Sequence, residues 1–136
     1  MRIGELAKRT GTTTRALRFY EAQGLLAARR AANGYREYDE DDFQLVTEIL
    51  KLQTVGLTLD ETRPFVDCLR SGHETGDSCA SSIEMYRRKL AEADALLARL
   101  GAVRAELATK LAEALARQEP DRFTPDPCVV PESPRP

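Results

Sequence analysis

The segment RIGELAKRTGTTTRALRFYEAQGLL, residues 2–26, reads as two short helices broken at a glycine. In the first, over about residues 2–9, Ile3, Leu6 and Ala7 share one face. Gly11 suits the backbone bend after a helix, and Thr12 or Thr13 suits the cap of the next. The second, over about residues 13–22, turns Ala16, Leu17 and Tyr20 inward and stops at Gly24. Two short helices joined by a Gly turn make a helix-turn-helix.

Downstream, residues 27–38 form a basic stretch containing Asn33-Gly34, a dipeptide that favours a tight hairpin because both residues tolerate positive φ. Tyr35, Arg36 and Tyr38 then alternate like a strand, so a small β-hairpin, a wing, is expected. Asp39 can cap a third helix over about 40–55, with Phe43, Val46, Ile49, Leu50 and Leu52 on its apolar face. Thr58 and Glu61 have capping-box spacing for a fourth helix reaching about Arg70. Pro64 fits it only if that helix begins later or kinks. Residues 71–78 are a polar, Gly-containing linker.

Residues 79–118 read as one long helix without proline. Two rows repeat every seven residues: Ile83, Leu90, Leu97, Arg104, Leu111 and Tyr86, Ala93, Leu100, Leu107, Ala114. This is a coiled-coil seam broken only by Arg104. Forty helical residues span roughly 60 Å, more than a small head can cover, so a second copy of the chain is the expected partner. Packing against the third and fourth helices would cover one end. Residues 119–136 are Pro-rich and are expected to be disordered.

The fold class expected is therefore all-α with a small β-hairpin wing. A winged helix-turn-helix domain occupies 1–70, with the helix-turn-helix at about 1–25, the wing at 27–38 and two further helices at 39–70. The linker and the dimerisation helix complete the chain up to residue 118.

The net charge of −2 hides an asymmetry. Residues 1–38 carry eight Lys/Arg against three acids, and the remainder 12 against 19. A cationic head on an acidic body suits a local polyanion contact. No run approaches the roughly 20 apolar residues of a membrane span, and the amino terminus lacks a secretion signal, so a cytoplasmic protein is expected. With one histidine, no phosphate-binding Gly loop and no nucleophile elbow, the residues do not point to an enzyme. Three widely spaced cysteines, Cys68, Cys79 and Cys128, suggest free thiols rather than a disulfide framework.

Taken in order, Ile3-Gly4-Glu5-Leu6-Ala7, Thr14 to Glu21 (TRALRFYE), Gly24-Leu25-Leu26 and Asn33 to Tyr38 (NGYREY) resemble the DNA-binding domain of the MerR family of transcription regulators. The resemblance runs over about residues 1–118. It implies two heads on an antiparallel coiled coil, each in the major groove at half of a palindromic promoter operator. It further implies that the dimer sits between the −35 and −10 elements, distorts the DNA there in response to an effector, and so realigns the promoter for RNA polymerase. An effector-independent architectural DNA-binding protein, or an interaction module using the coiled coil alone, is the alternative.

Arg15 and Arg18, three apart on the second helix, can both point outward while Leu17 packs inward. Their planar forks fit a guanine edge or a phosphate. Thr13 and Thr14 stand at the helix start, where hydroxyls and free N–H groups suit phosphate. Tyr20 is either a backbone contact through its hydroxyl or a core tyrosine. In the wing, Arg30, Tyr35 and Arg36 match phosphate-contacting positions of the family, Arg29 assists, and Tyr38 packs. Dimerisation falls to Ile83, Tyr86, Leu90, Ala93, Leu97, Leu100, Leu107 and Leu111.

The signal sensed is left open among a thiophilic metal, a thiol-reactive agent, a small organic effector and none. Cys79 matches the helix-start cysteine of metal-sensing relatives, but no cysteine pair comes after the long helix. Cys79 of one chain with Cys128 of another would suit Cu(I) better than zinc, and His73 could add a nitrogen. A cysteine near a helix amino terminus also has a lowered pKa. Cys68, near Phe65 and Leu69, reads as a buried small hydrophobe.

Overall fold

The structure, a computed structural model, describes residues 1–118 of the 136. The chain divides into two compact units, Met1–Glu92 and Ala93–Pro136. The elements run α1 (Ile3–Thr10), α2 (Thr14–Ala22), β1 (Arg29–Arg30), β2 (Arg36–Glu37), α3 (Glu40–Thr54), a 3-10 turn (Asp60–Thr62), α4 (Arg63–Arg70) and α5 (Ala80–Gln118). The expected helices and the one hairpin are therefore present in the expected order.

Local chemistry accounts for the boundaries. Gly11 ends α1 in the left-handed conformation at φ 77°, its N–H donating to the Ala7 carbonyl, a cap that glycine takes without a Cβ penalty. Thr13 begins α2, its hydroxyl oxygen accepting from the Ala16 N–H at 3.1 Å. At α3, Asp39 and Asp42 exchange side-chain and backbone bonds of 3.0 and 2.8 Å, a capping box with Asp in place of the usual Glu or Gln. Thr58 and Glu61 form the reciprocal pair before the fourth helix, at 2.9 and 3.3 Å. The chain then makes a 3-10 turn, in which Arg63 N–H bonds to the Asp60 carbonyl. Pro64 falls in the first turn of α4, where its missing N–H leaves no helical bond broken. The later start resolves the misfit of Pro64 seen in the sequence.

The hairpin differs from its expected form. Strands β1 and β2 are antiparallel, Arg29 opposite Glu37 and Arg30 opposite Arg36. Gly34 has φ 82°, but no non-Gly residue has positive φ, so Asn33 does not share the conformation. Gly34 N–H bonds to Ala31 O at 2.9 Å and Ala31 N–H to Tyr35 O at 2.8 Å. The loop is a three-residue connection ending in a left-handed glycine, not a two-residue turn. Asn33 contributes through its side chain, which accepts from the Tyr35 N–H.

One core lies within the first unit. Leu6 and Ala7 of α1, Leu17 and Tyr20 of α2, Val46 and Ile49 of α3 and Val66 of α4 bury together with Leu25, Leu26 and Tyr38. A second cluster joins Leu52, Leu57 and Phe65, with Met85 of α5 packed against it. Tyr86 stacks obliquely on Phe65, ring centroids 4.9 Å apart. Glu61 receives Arg88 at 3.0 Å and Lys89 at 3.1 Å, so the first turns of α5 dock on the unit that carries the helix-turn-helix. Further along α5 the apolar side chains are open: Leu90, Leu97, Leu100, Leu107 and Leu111 are each exposed. Among the described residues, no helix is long and apolar enough to cross a membrane. The expected disorder of 119–136 lies outside the described residues.

Candidate nucleic-acid interface

Helix α2 presents a cationic face because Leu17 and Tyr20 are turned into the core. Leu17 and Tyr20 are buried, while Thr13, Arg15, Arg18 and Phe19 are exposed and Thr14 is half-buried. Arg15 and Arg18 carry no ion pair among the described residues, and neither does Arg30 in the wing. Two other arginines of the head are occupied. Arg9 makes a two-pronged pair with Glu40 at 2.7 and 3.2 Å and lies over the Phe43 ring. Arg29 pairs with Asp39 and, at 3.6 Å, with Asp42. That guanidinium ties the base of the wing to the cap of α3 while remaining mostly exposed. Asp39 is held below the ordinary carboxylate range, first by the Asp42 N–H and further by Arg29.

Tyr20 packs in the core of the head. Its ring is buried and its hydroxyl donates to Gln53 Oε1 at 3.2 Å. Burial raises the Tyr20 pKa.

The wing is anchored to α2 through one acid. Glu21 accepts the Tyr38 hydroxyl and pairs with Arg36 at 3.3 Å. Burial, then the Glu21 contact, raises the Tyr38 pKa. Arg36 remains half-exposed, so its guanidinium faces both Glu21 and solvent. Tyr35 is exposed, and the Arg2 guanidinium stacks 4.2 Å above its ring. The backbone of residue 1 also pairs with Tyr38, through Tyr38 N–H to Met1 O at 2.8 Å. Arg2 stacks on the wing and Phe19 is exposed on α2, and neither was singled out from the sequence. Arg2 entered only as a charge, and Phe19 could not be told from a core residue by its type. The Arg2–Tyr35 stack crosses 33 residues of chain, beyond any periodicity.

The thiols depart from expectation. Cys68 and Cys79 are bonded to each other, with Cα atoms 5.9 Å apart. Cys68 is buried as expected, but it is not a free thiol. His73 Nδ1 lies 3.1 Å from Cys68 O and 3.7 Å from Cys79 Sγ. Cys79 also occupies the cap position of α5, its carbonyl accepting from Ser82 and Ile83. Cys128, the other half of the expected inter-chain pair, lies outside the described residues.

Residues 1–67 match the family model described as MerR HTH family regulatory protein, and residues 44–110 match that described as MerR, DNA binding. An uncharacterised HTH-type transcriptional regulator of Pseudomonas aeruginosa is 34% identical over 101 residues, covering 71% of this chain and 76% of the relative. The chain belongs to the MerR family. Nodulation protein NolA of Bradyrhizobium elkanii is 36% identical over 107 residues, which are 78% of this chain and 44% of NolA. The chain thus spans less than half the length of that relative. Among solved MerR-family structures, the regulator PbrR691 of Ralstonia metallidurans, crystallised with lead(II), superposes with a TM-score of 0.65. It is 32% identical, and the match covers 80% of this chain and 83% of that one. This chain thus carries the helix-turn-helix and DNA-binding domains of the MerR family.

Proposed function

We propose that the exposed face of α2 and the wing contact promoter DNA, and that two chains joined through α5 carry two such heads to a palindromic operator. The observation that carries this reading is the division of the cations. Arg15, Arg18 and Arg30 are exposed without an acidic partner among the described residues, in a head whose Arg9 and Arg29 are both neutralised. Unpaired guanidinium groups on one helix and the adjoining hairpin are suited to phosphates and guanine edges.

Arg15 and Arg18 supply the groove contacts. Thr13, whose oxygen already accepts from Ala16, keeps its hydroxyl proton for a phosphate, and Thr14 offers a free N–H at the helix start. Arg30, Tyr35 and Arg36 contact the backbone from the wing. Tyr20 and Arg29 serve by positioning α2 and the wing.

The domain division expected from the sequence, head at 1–70, linker at 71–78 and rod at 79–118, is retained. The rod is the route to a homodimer. Leu90, Leu97, Leu100, Leu107 and Leu111 of the expected rows are exposed in a single chain, and Leu96, Val103 and Leu115 widen the same stripe. Tyr86 is divided between that seam and Phe65 of its own chain. Held at a fixed separation, the two heads favour one bent form of the DNA between the −35 and −10 elements. An effector changes that preference, and RNA polymerase reads the result.

Footprinting on the chain's own promoter tests this. One protected block between the −35 and −10 elements, with enhanced cleavage at its centre, is expected. Diffuse protection would replace it with a non-specific architectural role.

A further inference from the structure

We propose that reduced Cys68 and Cys79, together with His73, form an intrachain binding site for a zinc-class divalent cation at the joint between α4 and α5. The ligand atoms of these three residues lie within 4.8 Å of one another. Two thiolates and one imidazole are the donor set of tetrahedral zinc. With ordinary Zn–S and Zn–N lengths, a sulfur and a nitrogen on one tetrahedral ion stand about 3.6 Å apart. His73 Nδ1 and Cys79 Sγ stand at 3.7 Å. Two sulfurs on such an ion stand about 3.8 Å apart, which side-chain rotation at Cys68 and Cys79 reaches without moving Cα atoms 5.9 Å apart.

The loop carrying these residues is built rather than loose. Gly72 reverses the chain at φ 94° after α4 and places His73 back over Cys68. Gly76 lies so close to Phe65 that an added Cβ would stand 3.1 Å from Phe65 Cβ. The Gly76 carbonyl accepts the Ser82 hydroxyl at 2.5 Å, and Ser82 is fully buried on α5. Thr75 bonds to Asp77 and to Ser78, both at 2.7 Å. With Cys68 on α4, Cys79 at the cap of α5 and His73 on the pinned loop between them, little further entropy is lost on binding.

The disulfide and the metal are alternative states of the same pair. An external dithiol, itself oxidised to its disulfide, gives two electrons and two protons to the Cys68–Cys79 bond and leaves two thiols. The cation then takes both as thiolates and releases two protons. His73 must ligate as the neutral ring, with its hydrogen on Nε2, so Nδ1 gives up its contact with the Cys68 carbonyl. All three ligands come from one chain, unlike a Cys79–Cys128 site shared between two, and the site stands apart from the DNA-contact reading.

The test uses the full chain, reduced and then freed of reductant without oxygen. Zinc is titrated against a chromophoric chelator, and Co(II) is used as a spectroscopic stand-in. One ion per chain is expected, with thiolate-to-cobalt charge transfer and the visible bands of a tetrahedral site. Cys79→Ser and His73→Ala should lose the competition while keeping their helical signal. Cys68→Ala, which keeps the buried position apolar, should do the same, and Cys128→Ser should bind like the parent. Reduced protein that does not compete with the chelator would overturn the proposal and leave the pair as a disulfide alone. Binding that survives Cys68→Ala but not Cys128→Ser would overturn it in favour of an inter-chain site.

Discussion

Leu97→Ala should weaken self-association strongly. Leu97 is 66% exposed in the single chain and sits in the middle of the α5 row. Complete burial of a leucine side chain contributes about 1.5–3 kcal/mol. Roughly two-thirds of that is still to be gained on pairing, about 1–2 kcal/mol per chain. A symmetric dimer contains the residue twice, so the substitution removes about 2–4 kcal/mol, or roughly 30- to 700-fold in the dissociation constant. Alanine is the strongest helix former, so the loss cannot be assigned to propensity. Sedimentation equilibrium over a dilution series measures the constant. Arg99→Ala, across the helix from that row, is the control and should leave it unchanged. If Leu97→Ala and Arg99→Ala dissociate alike, the α5 row is not the seam.

Arg18→Ala should weaken binding to every duplex and lower the salt slope by about one unit if its contact is to phosphate; a relaxed preference at one base pair instead would assign it to a guanine edge, and an unchanged isotherm would remove it from the interface. Gly34→Ala places a side chain at φ 82°, a strain of about 1–2 kcal/mol, and should reduce operator affinity by roughly 5- to 30-fold with no change in helical signal. Undiminished binding there would show that the wing does not touch DNA. Glu61 has its carboxyl held down to about 2, first by the Thr58 N–H and then by Arg88 and Lys89, against an ordinary 4.5. A depressed folded-state value means that its stabilisation is full above the ordinary value and drains away as the pH falls toward 2. Glu61→Gln should therefore be less stable at neutral pH and lose less between about pH 4.5 and 2, as monitored by denaturant melts; parallel acid profiles would exclude the carboxylate.

Much of the fold was legible because the signals are local. Gly11, Thr13, Asp39 and the Thr58–Glu61 pair act within four residues of the backbone groups they satisfy, so spacing alone placed α1 to α4. The seven-residue rows placed α5 for the same reason. What escaped was held together across the chain. Nothing near Arg29 announces that Asp39 and Asp42 will neutralise it, and nothing near Glu21 announces Tyr38 and Arg36. Cys68 and Cys79 are 11 residues apart, a spacing that carries no meaning until Gly72 folds the intervening loop back. Asn33-Gly34 correctly signalled a hairpin but not its type, because the loop length is set by where Arg30 and Arg36 pair.

Helix α5 buries one residue against the rest of its chain, Ser82, near its start. From Leu90 onward its apolar row meets solvent in a single chain. An isolated amphipathic helix is marginal in water, because helical stability comes mostly from covering such a face. If two chains pair through this row, secondary structure and assembly become a single equilibrium for this stretch. Far-UV ellipticity should fall as the protein is diluted, and duplex DNA that holds two copies together should restore it. On that pairing, melting temperature would depend on protein concentration as much as on sequence.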